Sequence, residues 1–326
     1  MTEHQFLPLD RPVPTAARLI SRHSSELSLS GLAIIERFLP EAGDAGTVAL
    51  AILRTCLPDW IGQEGLRRPA ALNRGATIKG TATSLGHPFS TVHRLVGRLR
   101  ERGLIEAVGD TVAITKDEAW ATAVLAFLKQ AHDVFLRFAG ELHDAEQLDL
   151  SLHVCTREPT ILAIVSTALD CFLMPFEMFS GRFGDWTSKK LWLVLSTLCV
   201  RHVTIDPVLN ARYAYTSTPD HERRPVPSAV LCALAGTSTT TGWRHCKAMA
   251  KAGIITEARQ GWVLCTQELL DARTEAAVQG AVAFYRRRIE ELMVKGFDPA
   301  NPGYIQGCPP LVAYDPLPAL VEQGAT

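Results

Sequence analysis

Two segments of the chain place hydroxyl side chains a few positions ahead of cations, at spacings close to one helix turn. Short hydroxyls and guanidinium groups are the donors that contact phosphates and base edges in a DNA groove. Arg259, in the turn of the predicted second hairpin, completes the second set. The candidate contact residues are Ser90, Thr91, His93, Arg94 and Arg98 in the first segment, and Thr240, Thr241, Arg244, Lys247, Lys251 and Arg259 in the second.

The charge of the whole chain conceals these segments. The 326 residues carry 33 Lys and Arg against 34 Asp and Glu, a formal net charge of −1, which by itself predicts no nucleic-acid partner. Residues 67–102, however, hold eight basic residues and one acid, and residues 223–259 hold six basic residues and one acid. A solvated helix face is the alternative interpretation of either segment alone. The recurrence of the same arrangement favours an anionic partner.

The apolar pattern predicts the elements that position the first set. An apolar residue every three or four positions buries one side of a helix and exposes the other. The helix that carries the first candidate set is preceded by a shorter helix over 78–85, across a turn at Gly86-His87. Gly103 fits the left-handed position that ends a helix. Two strands follow, at 104–108 and 111–115, so the predicted order is helix, turn, helix and β-hairpin. The apolar stripe consists of Val92, Leu95, Val96 and Leu99.

The same order recurs 150 residues later, where Thr241, Arg244 and Gly253 align with Thr91, Arg94 and Gly103. An upstream block aligns at an offset of 141, with Gly-Asp at 43–44 and at 184–185. Repetition at a fixed spacing indicates a duplicated unit, and the difference in offset places extra residues of the second unit in the loop at 216–227. We therefore predict four regions: a flexible N-terminus at 1–14, a first unit at 15–147, a second unit at 150–296, and a Pro/Gly-rich, extended or disordered tail at 297–326.

Long helices are predicted after each hairpin, at 117–143 and 267–295, and apolar helices at 160–179 and 191–200. With no stretch near the ~20 apolar residues of a membrane span, we expect these helices to be buried and to pack as an internal pseudo-dimer core. The stripes that support this core are Ala123, Phe127, Ala131 and Phe135, and Val278, Val282, Ile289 and Leu292.

The segment 84–106, SLGHPFSTVHRLVGRLRERGLIE, together with its hairpin, resembles the winged helix-turn-helix module of bacterial transcription regulators of the MarR, IclR and GntR kinds. Leu85-Gly86 matches the turn, Thr91-Val92 opens the recognition helix, and Gly103-Leu104-Ile105 leads into the wing. The second unit matches less well, because it departs at Gly242 and in its Thr-rich turn at 236–241. The resemblance implies a mainly α fold with small β-hairpins, in which two tandem winged helix-turn-helix units are joined by an α-helical pseudo-dimer core.

The function that this resemblance implies is sequence-specific binding of double-stranded DNA by a cytoplasmic, nucleoid-associated transcription regulator. Dimeric regulators place two recognition helices in successive major grooves, ~34–36 Å apart, and this chain would carry both. The two repeats differ at aligned positions, because Gly97 corresponds to Lys247 and Arg98 corresponds to Ala248. We therefore expect the DNA site to be an imperfect palindrome. Two alternatives stay open: a plasmid or phage replication initiator built from two winged helices, and a winged-helix protein-interaction scaffold.

An enzyme is the least favoured class, because the chain has no G-x-x-x-x-G-K, G-x-S-x-G, H-E-x-x-H or dinucleotide-binding motif. We therefore expect no catalytic residues and no cofactor. The eight cysteines include no C-x-x-C pair, which predicts buried free thiols and no metal site. A small-molecule effector and further homo-oligomerisation stay open.

Three residues near the candidate sets carry weaker expectations. Trp243 is expected to pack against the neighbouring helix rather than stack on a base or sugar. His87 is interpreted as a surface histidine, with a phosphate contact as the alternative. Asp110, at the first hairpin turn, should repel phosphate and so limit the part that this hairpin plays.

Overall fold

The computed structural model describes residues 16–62, 65–149, 160–178, 183, 185–265 and 272–308. These residues form a mainly helical protein with small two-stranded antiparallel sheets, as the sequence predicts. The helices are α1 (Ala17–Phe38), α2 (Asp44–Cys56), α3 (Ile78–Ser84), α4 (Phe89–Glu101), α5 (Glu118–Asp144), α6 (Ile161–Met178), α7 (Trp186–Leu198), α8 (Arg201–Ile205), α9 (Pro207–Arg212), α10 (Ser228–Leu234), α11 (Thr239–Lys251) and α12 (Ala272–Met293). The strands are β1 (Ile61–Gly62), β2 (Gly65–Leu66), β3 (Ile105–Val108), β4 (Thr111–Ile114), β5 (Ile255–Ala258) and β6 (Gly261–Leu264).

The predicted repeat is present in the backbone. Helices α3 and α4 with hairpin β3–β4 recur as α10 and α11 with hairpin β5–β6, each element displaced by 150 residues. Gly103 and Gly253 end α4 and α11 with the same φ of +74°, a left-handed conformation that favours glycine. We call residues 76–114 the first module and residues 226–264 the second module.

Each module has a third extended residue that the sequence pattern did not predict. Ala76 exchanges two backbone hydrogen bonds with Val112, at 2.8 and 3.0 Å, and Val226 exchanges two with Trp262, at 2.9 Å each. This bridge ties the start of each module to its hairpin. It lies close to Gly261, because a Cβ atom built on that glycine would approach the Val226 carbonyl oxygen to 2.1 Å.

Helices α1 and α6 each pack against the opposite half of the chain as well as against their own, an arrangement that we call the exchange of α1 and α6. Helix α1 packs along α7, which supports the second module, and α6 packs along α2, which supports the first. Leu29 and Leu32 of α1 accordingly belong to the hydrophobic cluster of the second module, whereas Val165 and Leu169 of α6 belong to that of the first. The exchange gives the two halves a common core, to which α5 and α12 add their apolar faces.

The predicted stripes of α5 and α12 lie in this core. Phe127, Ala131 and Phe135 are buried, Ala123 is half-buried, and the four α12 residues Val278, Val282, Ile289 and Leu292 are buried. The helices α1 and α6 approach most closely at Gly31, where a Cβ atom would lie 2.8 Å from the Phe172 ring. A small residue is therefore required at this crossing.

Reciprocal contacts fix the modules against the opposite half. The His87 ring, in the turn of the first module, lies edge-on to Trp186 of α7 with ring centroids 4.0 Å apart. In the second module, the turn residue Gly236 lies beside Gly43, the N-cap of α2. Lys190 of α7 pairs with Asp44 of α2 at 3.1 Å. The turns of both modules therefore pack near the N-termini of α2 and α7, against the half to which they do not belong.

The structure describes part of two connecting segments. The first part of the tail packs on the core, because Phe297 is buried and Asp133 accepts hydrogen bonds from the backbone N–H groups of Ile305 and Gln306, at 2.8 and 2.6 Å. Residues 309–326 lie outside the described part. In the second half, helices α8 and α9 occupy residues 201–212, ahead of the loop at 216–227 where we placed the extra residues.

None of the helices in the described part of the chain combines the length and apolar character needed to cross a bilayer.

Candidate nucleic-acid interface

Helix α4 buries its apolar stripe and exposes the first candidate set. Val92, Leu95, Val96 and Leu99 are at most 2% exposed, so the opposite side of the helix must face solvent. Thr91 is half-buried. The exposed residues, which we call the first outward face, are Ser90, His93, Arg94 and Arg98.

Helix α11 presents the second candidate set in the same register. Cys246 and Met249 are buried at positions matching Val96 and Leu99. The helix is capped by Ser238, whose hydroxyl accepts from the Thr241 backbone N–H at 3.3 Å and donates to the Thr241 hydroxyl at 3.0 Å. The Thr241 hydroxyl is thus already engaged in the cap. The second outward face comprises the exposed residues Thr240, Arg244 and Lys251 and the half-buried Lys247.

The guanidinium groups of Arg94, Arg98 and Arg244 make no ion pair or side-chain hydrogen bond within the described residues, and the same holds for the Lys251 ammonium. Cations of a folded protein that are exposed and uncommitted keep their full capacity to bind an external anion, because no internal partner has to be displaced. Each outward face therefore retains two such cations.

Lys247 differs from its neighbours because Glu257 of β5 holds it in an ion pair. Its ammonium also lies 5.3 Å from the Trp243 ring centroid and 5.6 Å from that of Trp262, distances at which a cation interacts with an aromatic face. In the structure as described, Lys247 is turned back onto its own module. Its charge is largely neutralised there.

The hairpins present different charges at their tips. Arg259 is exposed in the β5–β6 turn. The corresponding turn of the first module holds the exposed Asp110. Because phosphate repels a carboxylate and attracts a guanidinium, only the second hairpin is suited to contact a phosphate backbone.

The structure corrects the count of basic residues around the second module. Arg223 is buried, and it donates to the Thr218 carbonyl at 2.8 Å and pairs with Asp220 at 3.6 Å. It therefore has a structural role inside the protein rather than on a basic surface. In the first segment, Arg102 donates to the Pro40 carbonyl at 3.0 Å and Arg68 donates to that of Lys116 at 2.8 Å. The basic surface of the second module is therefore smaller than the sequence count suggests, whereas Arg68 and Arg102 stay exposed in the first.

Trp243 is 51% exposed, so only part of its surface packs on the protein. The expectation for His87 was wrong, because it is not a free surface histidine: its ring is half-buried against Trp186, and this burial, followed by the charge of Lys189, lowers the pKa of His87. A half-buried ring whose pKa is lowered is poorly suited to bind phosphate.

Sequence reasoning missed Phe89. It opens α4, is 53% exposed, and its ring centroid lies 5.7 Å from that of His93. An exposed aromatic thus lies on or beside each outward face, Phe89 in the first module and Trp243 in the second. The available signal was that Phe89 falls outside the apolar stripe of α4. Aromatic side chains can contact thymine methyl groups or stack on bases.

The cysteines follow the predicted pattern only in part. Cys56, Cys171, Cys199, Cys232 and Cys246 are buried free thiols, whereas Cys265 is half-buried and Cys308 is exposed. Cys155 lies outside the described residues. Among the residues that are described, no cluster of three His, Cys, Asp or Glu side chains could hold a metal ion.

Comparison of the chain with protein-family models, with curated proteins and with solved structures finds no match. The functional interpretation therefore rests on the geometry of the chain itself.

Proposed function

We propose that this protein is a transcription regulator that binds double-stranded DNA sequence-specifically, with two winged helix-turn-helix modules carried by one chain. The observation that carries the proposal is the recurrence, 150 residues apart, of an amphipathic helix with uncommitted cations on its exposed side, followed by a β-hairpin. Chance exposure of cations on one helix is ordinary. The same register on two modules is a stronger argument for a common ligand.

The electrostatics favour DNA over an uncharged partner. DNA carries one negative charge per ~1.7 Å of helix axis, so a binding face gains affinity from each cation that displaces a condensed counterion. Arg94 and Arg98 on α4 lie one turn apart, as required for a helix that enters the major groove. In the second module, we assign Arg244 on α11 to base edges and Arg259 in the hairpin turn to backbone phosphate.

The exchange of α1 and α6 supports a two-module reader rather than two independent modules. Since each module packs against the opposite half through His87–Trp186 and Gly236–Gly43, their relative orientation is set by the core. A fixed orientation restricts binding to sites whose halves have one spacing. We therefore expect a DNA site of two halves that form an imperfect palindrome, one half for each of the units at 15–147 and 150–296.

The protein-interaction scaffold remains the second candidate because of the exposed aromatics. Phe89 and Trp243 would supply apolar contact area to a protein partner, and Lys247 contributes little free charge. A scaffold would lack salt-dependent affinity for DNA. The replication initiator shares the two-module geometry, and binding to repeated origin sites would distinguish it from a regulator.

The test is fluorescence anisotropy with two labelled duplexes, one of random sequence and one that carries a site selected by the protein from a random pool, titrated at several salt concentrations. We expect wild-type protein to bind with an affinity that falls as salt rises. Arg94→Ala and Arg244→Ala should each flatten the log–log salt slope by about 0.9 if the arginine contacts phosphate, or lose ~1–3 kcal/mol selectively on the selected site if it reads a base. Arg212→Ala is the matched control, because Arg212 is exposed at the end of α9, outside both modules. Equal effects of all three substitutions would contradict the proposal.

A further inference from the structure

A cleft of about 70 Å³ lies between the two halves of the chain. Its walls come from α1, from α7, and from the segment that leads into the second module. Space of this size is ample for several water-sized groups. The lining is unusual for a core crevice because it combines three arginines with serine hydroxyls: Arg18, Arg22, Arg223, Ser21, Ser25, Ser196 and Ser217.

Arg22 is the central feature of the cleft. It is only 7% exposed, and its terminal nitrogens donate to the carbonyls of Tyr213 and Asn210 at 2.8 and 3.0 Å and to the Asn210 side-chain oxygen at 2.6 Å. All of these acceptors are neutral, and no carboxylate of a described residue pairs with Arg22. A buried guanidinium without a counter-ion is unfavourable. Burial and the neighbouring Arg18 together lower the pKa of Arg22 to about 10.

Arg22 Nε and Ser217 Oγ are polar atoms at the cleft that have no hydrogen-bond partner among the described residues. The other serines differ, since Ser25 donates to the Ser21 carbonyl at 2.8 Å and Ser196 donates to the Leu193 carbonyl at 2.9 Å. Buried polar groups are nearly always hydrogen-bonded, so unpartnered donors beside a cavity indicate a missing acceptor. The missing acceptor here is one that also supplies negative charge.

The carboxylates at the cleft do not meet this need. Glu275 pairs with Arg18, and Asp220 pairs with Arg223, which leaves Arg22 as the cation that neither acid neutralises. Apart from Thr218, the rest of the lining is apolar and consists of Trp192, Val200, Leu264 and Val278. An occupant that suits both parts of the wall has an anionic head and a short apolar body.

We propose that this cleft binds a small monocarboxylate, whose head group is held by Arg22 and Ser217 and whose apolar body contacts Trp192 and Leu264. The inference rests on the cleft alone and does not require the proposed DNA binding. The occupant would bridge α1 of the first half, α7, and β6 of the second module. Its binding would therefore stabilise one position of the second module relative to the core.

The test uses the full chain, without DNA, in isothermal titration calorimetry and thermal unfolding. The probes are sodium benzoate, isobutyrate, acetate and inorganic phosphate, with sodium chloride at equal ionic strength as the reference. We expect benzoate or isobutyrate to bind saturably and to raise the unfolding temperature, since a ligand that binds only the folded state stabilises it. No saturable carboxylate binding up to about 10 mM, where the interaction would be weaker than millimolar, would overturn the proposal. Equal binding of phosphate and the apolar carboxylates would overturn the assigned class.

Variants locate the site. Ser217→Ala should weaken carboxylate binding about tenfold or more, the usual effect of losing a hydrogen bond to a charged group. It should leave the unfolding temperature of the unliganded protein unchanged, because the hydroxyl has no partner to lose. Ser196→Ala is the matched control: it removes a hydroxyl from the same wall, but one already bonded to the backbone. Arg22→Lys tests the head-group contact and should also weaken binding. Equal affinity of Ser217→Ala and Ser196→Ala would overturn the proposal.

Discussion

Glu257→Gln tests the second outward face, because it replaces a carboxylate by a neutral amide of nearly the same shape and is expected to strengthen DNA binding. Glu257 holds Lys247 in an ion pair between two partly exposed side chains, and such pairs contribute only ~0.2–1 kcal/mol to stability. Removing the negative charge frees Lys247 to leave the Trp243 and Trp262 rings and reach a phosphate. The substitution also removes an exposed acid from the module that we propose contacts DNA.

The magnitude follows from counterion release. One additional phosphate contact steepens the log–log salt slope by about 0.9, and at 0.1 M salt this corresponds to a gain of up to about eightfold in affinity relative to a 1 M reference. The assay is duplex anisotropy between 0.05 and about 0.3 M salt, with the free energy of unfolding measured in urea as a check on folding. Asp144→Asn, at the exposed C-terminal end of α5, is the control for a general loss of negative charge.

An unchanged slope for Glu257→Gln would show that Lys247 does not lie on the path of the DNA backbone. Weaker binding would refute the reasoning outright, since the pair would then be positioning the helix rather than neutralising it. An equal gain for Asp144→Asn would reduce the effect to the change in net charge.

The remaining predictions concern the fold that positions the two faces. Gly261→Ala should lower the free energy of unfolding by more than about 2 kcal/mol, because φ is +144° and the new methyl group would meet the Val226 carbonyl. Gly109→Asn is the control in the same urea-unfolding experiment. Its free energy of unfolding should change little, because φ is +57° and the space around Gly109 is open. Gly31→Ala should cost ~1–3 kcal/mol through overpacking against Phe172, and Phe172→Leu in the same chain should recover part of it; full additivity in a double-mutant cycle would contradict the close crossing of α1 and α6. His87 contributes stability that is present above its unfolded pKa of 6.5 and is lost as pH falls below it, since burial lowers the pKa in the folded state; His87→Gln should flatten this part of the stability–pH curve, and an unchanged curve would show that the Trp186 contact does not shift the titration.

Local sequence patterns predicted each module because the information is local. The stripe of Val92, Leu95, Val96 and Leu99 specifies α4, and Gly103 specifies its end. The bounds of the module elements accordingly agree within two residues. The internal 150-residue spacing added the second module, although its own helix stripe is weaker.

Long-range choices of partner could not be predicted in the same way. The apolar run at 160–179 predicts that α6 is buried, but not that α1 and α6 each also pack against the opposite half of the chain. The same limit explains the error at Arg223. An arginine near a Pro-rich loop gives no sign of a buried partner 24 residues earlier, Cys199, whose sulfur accepts from it at 3.6 Å. Neither does the pattern reveal that Arg18, Arg22 and Arg223 converge on one cleft.

The central claim is that one chain reads DNA with two modules held at a fixed spacing. Selection from a pool of random duplexes with the purified full-length protein tests it most directly, followed by affinity measurement on the enriched site and on each half alone. We predict an imperfect palindrome whose half-site centres lie ~10 base pairs apart, with each isolated half-site bound far more weakly than the whole. Enrichment of no sequence, or an isolated half-site bound as tightly as the complete one, would contradict the account.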